Sequence, residues 1–239
     1  MEKTIDGKEL GQIVVRKNIR AKHYSLRVVD GKIIATLPRG GTEREMLSFI
    51  NSKRTRLLDM LAKNQKQPTL NEKSHLKTYT FELHIFRTQR TNMYVSLQEG
   101  KLHIACPEET NFDDEQVQQK LWAIVTKVAQ VEALSILPCR VEILASQHGF
   151  KYTGVTVRKT RTRWGSCSSK KQINLSISLM FLPEYLIDYV LLHELCHTVE
   201  MNHSKRFWAL MDKVTNGRTQ LLRKELRQWK STHYTNDCR

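Results

Sequence analysis

The stretch His193-Glu194-Leu195-Cys196-His197 decides how the rest of this chain is interpreted. It follows an apolar run, residues 185–192, so it is expected to lie towards the end of a helix. Two residues that are four positions apart in a helix project from the same face, about one turn from each other. His193 and His197 could therefore direct their ring nitrogens at one ion. Glu194 would project about 100° away from His193, beside the metal, where a general base acting on water belongs. The pattern predicts a zinc site with Glu194 as the catalytic carboxylate.

A third ligand is expected shortly after the motif, and two residues could supply it. Glu200 returns to the face of His193 if the helix continues. His203 can reach the metal only if the helix ends first. Asn202 tolerates the left-handed conformation that closes helices, and Ser204 can cap a following helix. We therefore expect His203 to be the third ligand, and Glu200 to be a supporting carboxylate or a solvated residue.

The residues around the motif resemble those of a known family. The matching stretches are Arg161-Thr162-Arg163-Trp164-Gly165-Ser166-Cys167-Ser168, Ile173-Asn174-Leu175, Asp188-Tyr189-Val190, the motif itself, Asn202-His203-Ser204 and Phe207-Trp208. Together they resemble the YgjP-like metallopeptidases, which are zincin-type proteins similar to the SprT-like family. The resemblance implies one zinc ion per chain on His193, His197 and His203, with Glu194 as the catalytic residue. It implies no particular substrate.

Two similar stretches precede the motif region. Residues 12–37 and 81–105 each have the pattern of strands joined by a tight hairpin turn, which is Asp30-Gly31 in the first and Glu99-Gly100 in the second. A helix follows each, and the first opens with a capping box from Thr42 to Glu45. We interpret this as a weak internal duplication. The polar residues 63–74 predict a linker, giving an N-terminal strand-hairpin-helix unit at 1–66 and a second domain at 75–239.

The second domain is predicted to hold another strand-hairpin-helix unit and a zincin-like mini-domain. Its long helix should break near Pro138, and a second helix should close at Gly149. Strands at 152–158 and 172–179 should precede the motif helix, and helices at 204–214 and 218–229 should follow it. The predicted fold class is α+β.

Further residues are candidates for contacts with substrate or transition state. Residues 172–178 alternate polar and apolar, and we expect this strand, with Asn174, to be the sheet edge that lines the cleft. Trp164 lies in a loop predicted close by. Arg163 and His148 are the first candidates to stabilise the oxyanion, and Tyr152 and Tyr185 are further ones.

Charge supplies a second signal. The formal net charge is +15 and the isoelectric point is near 9.7. Basic residues cluster before the presumed cleft strand and on the last helix: Arg158, Lys159, Arg161, Arg163, Lys170, Lys171, and Arg218, Arg223, Lys224, Arg227, Lys230. They favour acidic partners or weak, non-specific binding to nucleic acid. The alternative function is therefore a nucleic-acid-binding module with a structural or vestigial metal site. The presence of Glu194 favours instead a hydrolase that acts on a peptide or protein, because a structural zinc needs no base.

Cysteine usage and hydropathy indicate the cellular compartment in which the protein is expected to work. The five cysteines include no C-x-x-C pair, which argues against a disulfide framework and is typical of a reducing cytosol. The N-terminus shows no signal-peptide pattern, and no run is expected to reach the length of a membrane span. We therefore expect a cytoplasmic protein with no membrane partner.

Overall fold

The structure is a computed structural model that describes residues 2–29, 32–63, 67–160 and 163–229. It divides into two compact units, Met1–Pro68 and Thr69–Arg239. The predicted turn at Asp30-Gly31, and Arg161 and Lys230 of the basic clusters, lie outside the described residues. The mixed α+β class predicted from the sequence is confirmed, and the domain limits 1–66 and 75–239 stay a prediction.

The first unit is a four-stranded sheet with two helices. The strands are β1 (Glu2–Asp6), β2 (Gln12–Lys17), β3 (Ser25–Val29) and β4 (Lys32–Leu37), in the order β1-β2-β4-β3, followed by α1 (Glu43–Ser52) and α2 (Arg54–Lys63). The capping box is confirmed, because Thr42 Oγ1 accepts from the Glu45 backbone and the Glu45 carboxylate accepts from the Thr42 backbone. Apolar side chains of sheet and helices, such as Ile33 and Met46, form a separate core.

The second unit begins with a three-stranded sheet. Its strands are β5 (Glu82–Thr88), β6 (Tyr94–Gln98) and β7 (Lys101–Pro107), in the order β5-β7-β6. The predicted hairpin turn is present, with φ of 49° at Glu99 and 71° at Gly100. Two successive positive φ angles are what a two-residue turn between twisted strands requires.

The long helix α3 (Glu115–His148) is continuous, so the predicted break at Pro138 is wrong. Proline removes one backbone donor, but burial on both sides of it stabilises the helical path: Leu137 and Val141 are 0% exposed. The helix closes at Gly149, whose φ of 73° gives the left-handed C-terminal cap predicted from the sequence.

α3 is also long and apolar enough to cross a membrane, as judged by length and composition. The expectation that no segment reaches that length is therefore wrong for this helix. The core helix of a soluble protein meets the same criteria, and ten residues of α3 are buried in the core of the second unit.

A third small sheet leads to the motif. Its strands are β8 (Gly154–Arg158), β9 (Gly165–Cys167) and β10 (Gln172–Ser176), in the order β8-β10-β9. β10 lies between a parallel and an antiparallel neighbour, so the prediction that this strand forms the sheet edge is wrong. The two edge strands are β8 and β9. In all three sheets the last strand in sequence lies between one parallel and one antiparallel neighbour: β4 between β2 and β3, β7 between β5 and β6, and β10 between β8 and β9.

Three helices follow: α4 (Glu184–Cys196), α5 (Lys205–Val214) and α6 (Thr219–Leu226). A charged cluster joins α3 to α4. Arg140 Nε and Nη2 donate to the Asp188 carboxylate at 2.7 and 2.6 Å, and Nη2 also lies 3.0 Å from Glu184. A paired, two-pronged contact of this kind fixes the rotation of one helix against the other.

Candidate metal centre

The end of α4 positions the first two histidines. Nine of the thirteen residues of this helix are buried, which places its C-terminal turn inside the second unit. The helix ends at Cys196, earlier than the stop predicted at 201–204, and the Cys196 carbonyl accepts from the backbone N–H groups of Val199 and Glu200. The chain then reverses, so that His203 returns to the face of His193.

Three imidazole nitrogens meet at this reversal. His193 Nε2 lies 3.2 Å from His197 Nε2 and 3.0 Å from His203 Nε2, and the ligand atoms of all three residues lie within 4.8 Å of one another. The Glu200 carboxylate is not part of this group. Its backbone oxygen lies 3.0 Å from His197 Nδ1. A carbonyl can only accept, so Nδ1 carries the proton and the Nε2 lone pair faces the other two rings.

An aromatic pair supports the three rings. Phe207 is 0% exposed, and its ring centroid lies 4.9, 4.5 and 4.8 Å from those of His193, His197 and His203. Trp208 stacks on His203 at 5.5 Å. Both aromatic residues lie in the first turn of α5, which is capped as predicted by Ser204 Oγ accepting from the Phe207 backbone. The cap therefore sets the angle at which the aromatic rings meet the histidines.

Glu194 lies beside the histidines and is nearly closed off from solvent. The side chain is 5% exposed, and burial raises the pKa of its carboxyl to about 8 despite the lowering effect of Arg163. Its Oε2 atom has no hydrogen-bond partner among the described residues. Gly165 in β9 packs directly on it, since a Cβ there would lie 2.8 Å from Glu194 Cγ and Oε1. The edge strand thus approaches Glu194 to a distance that only glycine allows.

The electrostatics suit a divalent cation. Burial, and then the neighbouring His197 and His203, lower the pKa of His193 to about 3, and burial also lowers the pKa of His197. Both rings are therefore neutral at neutral pH, as ligation requires. Converging imidazole nitrogens beside an unpartnered buried carboxylate form a donor set that fits zinc.

A cavity of about 730 Å³ opens beside the histidines. Of the residues predicted to contact substrate, Arg163 and Trp164 line it. Asn174 does not, and its Oδ1 accepts from Thr156 Oγ1 on the neighbouring strand instead. His148 does not line it either, but lies at the end of α3 near Phe150.

Sequence reasoning did not place six further residues at this cavity, although it singled out several of them for other reasons: Tyr189, Arg223, Leu226, Arg227, Trp208 and Trp229. One signal was available in the sequence. Arg223 and Arg227 are four residues apart, which places two cations on one face of the last helix. The sequence alone did not say which other elements this face meets.

Comparison with known proteins places the chain in a family. One similar solved structure is the crystal structure of the metallopeptidase zymogen of Pyrococcus abyssi abylysin, which is 23% identical, with a TM-score of 0.36 over 39% of this chain and 93% of that one. A search of curated proteins gave no match. The family model described as "YgjP-like, metallopeptidase domain" matches residues 22–229, most of the 239 residues. The chain therefore belongs to the YgjP-like metallopeptidases.

Proposed function

We propose that this protein is a zinc-dependent peptidase that cleaves peptide bonds in peptide or protein substrates, with Glu194 as its general base. The observation that carries this proposal is the meeting of three histidine nitrogens with a buried carboxylate that has no partner of its own. A purely structural zinc site is usually closed by a fourth protein ligand. In the described part of the chain, the group that could hold a metal consists of three histidines only, which leaves a position for substrate or water.

In this proposal His193, His197 and His203 hold the ion, and the ion, when bound, polarises the scissile carbonyl and makes water more acidic. Glu194 accepts the proton that water loses and later delivers it to the leaving amine. Burial raises the pKa of this carboxyl in the metal-free protein, and a cation bound beside it would favour the carboxylate form that accepts the proton. Arg163, whose positive charge reaches Glu194, is our candidate for stabilising negative charge on the substrate oxygen.

The substrate is proposed to bind as an extended strand along β9. Within the described residues β9 pairs on one side only, with β10. Its other edge offers backbone groups to a peptide, and main-chain pairing of this kind holds a substrate without dictating its sequence. Gly165 would bring the peptide backbone close to Glu194.

We also propose that binding to nucleic acid is weak and non-specific rather than the function of the protein. The observation behind it is a set of exposed basic residues near β9: Arg158, Arg163, Lys170 and Lys171. Such binding should collapse between low and moderate salt; tight, sequence-specific binding at physiological salt would revive the alternative of a nucleic-acid module. A cytoplasmic location is likewise retained as a proposal.

Elemental analysis of protein purified without chelator or histidine tag tests the metal site. We expect near one zinc per chain in the wild type, loss of zinc in His203→Ala, and full zinc in the neighbouring control Glu200→Ala. Glu194→Ala should keep zinc and lose hydrolysis of a peptide library. Wild-type protein that takes up no zinc, or a Glu194→Ala variant that cleaves as fast as wild type, would disprove the proposal.

A further inference from the structure

The cavity beside the histidines collects positive charge from two directions. Arg163 enters from the residues before β9, and Arg223 and Arg227 enter one turn apart from the end of α6. Glu194 is the one acidic side chain among the described residues that line the cavity. Among the ion pairs formed by the described residues, none involves these three arginines. Their charge therefore lines the cavity without forming an ion pair among the described residues.

Arg223 is held in place by a stack of rings. Its guanidinium carbon lies 4.6 Å from the centroid of Trp208, and Trp208 stacks on His203 with ring planes 23° apart. A guanidinium held by its flat face keeps the N–H groups at its rim free for a ligand.

The remaining walls of the cavity are largely apolar. Val190, Leu226 and Trp229 line it together with Trp208. Arg163, Arg223 and Arg227 remain exposed to solvent, and the apolar walls beside them lower the local dielectric constant, which strengthens a charge-assisted hydrogen bond to a bound anion. Such a cavity suits a group with a short apolar stem and an anionic end.

We infer that this cavity binds a carboxylate of the peptide substrate, either an acidic side chain or a free C-terminus next to the scissile bond, on Arg223 and Arg227. This inference rests on the proposed peptidase function and adds a substrate preference to it. A planar carboxylate can accept two parallel hydrogen bonds from one guanidinium. A cavity of about 730 Å³ also matches a site for one or two residues, whereas a nucleic-acid strand needs an extended groove that follows its backbone.

Binding can be measured without turnover. Glu194→Gln protein is titrated with three peptides of one apolar sequence, and tryptophan fluorescence is followed because Trp208 and Trp229 line the cavity. The first peptide carries glutamate and a C-terminal amide, the second glutamine and an amide, and the third glutamine and a free C-terminus. We expect at least one of the two carboxylate peptides to bind about tenfold more tightly than the neutral one, as hydrogen bonds to charged groups predict. The glutamate and free C-terminus peptides distinguish the two sources of the carboxylate.

Arginine variants test the residues. Adding Arg223→Gln or Arg227→Gln should remove most of that preference, while Lys224→Gln, which removes an exposed charge from the same helix but does not line the cavity, should leave it unchanged. Equal affinity for all three peptides would overturn the inference. So would an equal effect of the arginine and lysine variants, or displacement of the glutamate peptide by a lower concentration of a short oligonucleotide. If an arginine variant fails to fold, as judged by circular dichroism, the peptide comparison with both arginines present decides alone.

The experiment separates this inference from the function it rests on. If the wild-type enzyme cleaves the neutral peptide with the same kcat/KM as both carboxylate peptides, the carboxylate preference is wrong and the peptidase function stands. If the wild-type enzyme cleaves neither these three peptides nor any other peptide, the peptidase function fails. The titration still decides whether the cavity binds peptide carboxylates.

Discussion

Replacing Glu194 with glutamine should stabilise the metal-free protein, and increasingly so as the pH rises. The carboxyl is 5% exposed, and burial raises its pKa from 4.5 to about 8. Between these two values the unfolded chain has released a proton that the folded chain still holds. The free energy of unfolding therefore falls with rising pH in this window, at about 1.4 kcal/mol per pH unit. At pH 7, two and a half units above the unfolded pKa, the cost reaches about 3 kcal/mol.

The assay is urea unfolding of chelator-treated wild type and Glu194→Gln at several pH values from 4 to 8. The pH dependence of the difference between them isolates Glu194. His193 has an opposite effect, because its lowered pKa makes wild-type stability rise with pH between about 3 and 6.5, but this contribution is common to both proteins. We expect the difference in unfolding free energy between the two proteins to change little near pH 4. At pH 7 it should favour the glutamine variant by about 3 kcal/mol more than at pH 4.

Glu142→Gln, at an exposed position on α3, is the matched control for replacing a glutamate by glutamine. If the Glu194→Gln difference stays level within about 0.5 kcal/mol from pH 4 to 8, the carboxyl is not held in a low-dielectric site and the reasoning is refuted.

Three further variants test the supports of the site. Gly165→Ala puts a Cβ 2.8 Å from the Glu194 side chain, so kcat/KM should fall about tenfold or more while zinc content stays normal; unchanged activity would contradict that contact. Phe207→Ala should cost about 3–5 kcal/mol of stability and weaken zinc binding measured by competition with a chelator, whereas Phe207→Leu should retain most of both. Arg140→Met leaves Asp188 half-buried without its partner and should lower urea stability by about 1–3 kcal/mol, with partial recovery in the Arg140→Met, Asp188→Asn double variant.

The sequence was most informative where chemistry depends on short spacing. His193, His197 and His203 fall within one helix turn and the reversal that follows it, and a local pattern suffices to bring them together. The caps at Thr42, Gly149 and Ser204 are local in the same sense, since each satisfies backbone groups within a few residues. No comparison tests the individual roles of the histidines and Glu194, and these stay predictions.

Tertiary packing decided the features that sequence reasoning missed. Pro138 carries a strong local signal for a helix break, and the burial of Leu137 and Val141 overrides it. The alternation of β10 is equally compatible with a central strand in a small sheet that is covered on one face, so the pattern could not identify β8 and β9 as the edges.

All the proposed ligands come from the segment between His193 and His203, which has a consequence for folding. Closing so short a loop around an ion costs little chain entropy, so the segment could hold zinc even while the rest of the second unit is unfolded. An ion that binds the unfolded chain as well as the folded one shifts the folding equilibrium only by the difference between the two affinities. Zinc in this protein should therefore raise the melting temperature by less than its affinity for the native site implies, and an unfolded chain that has already taken up the ion should refold without having to recapture it.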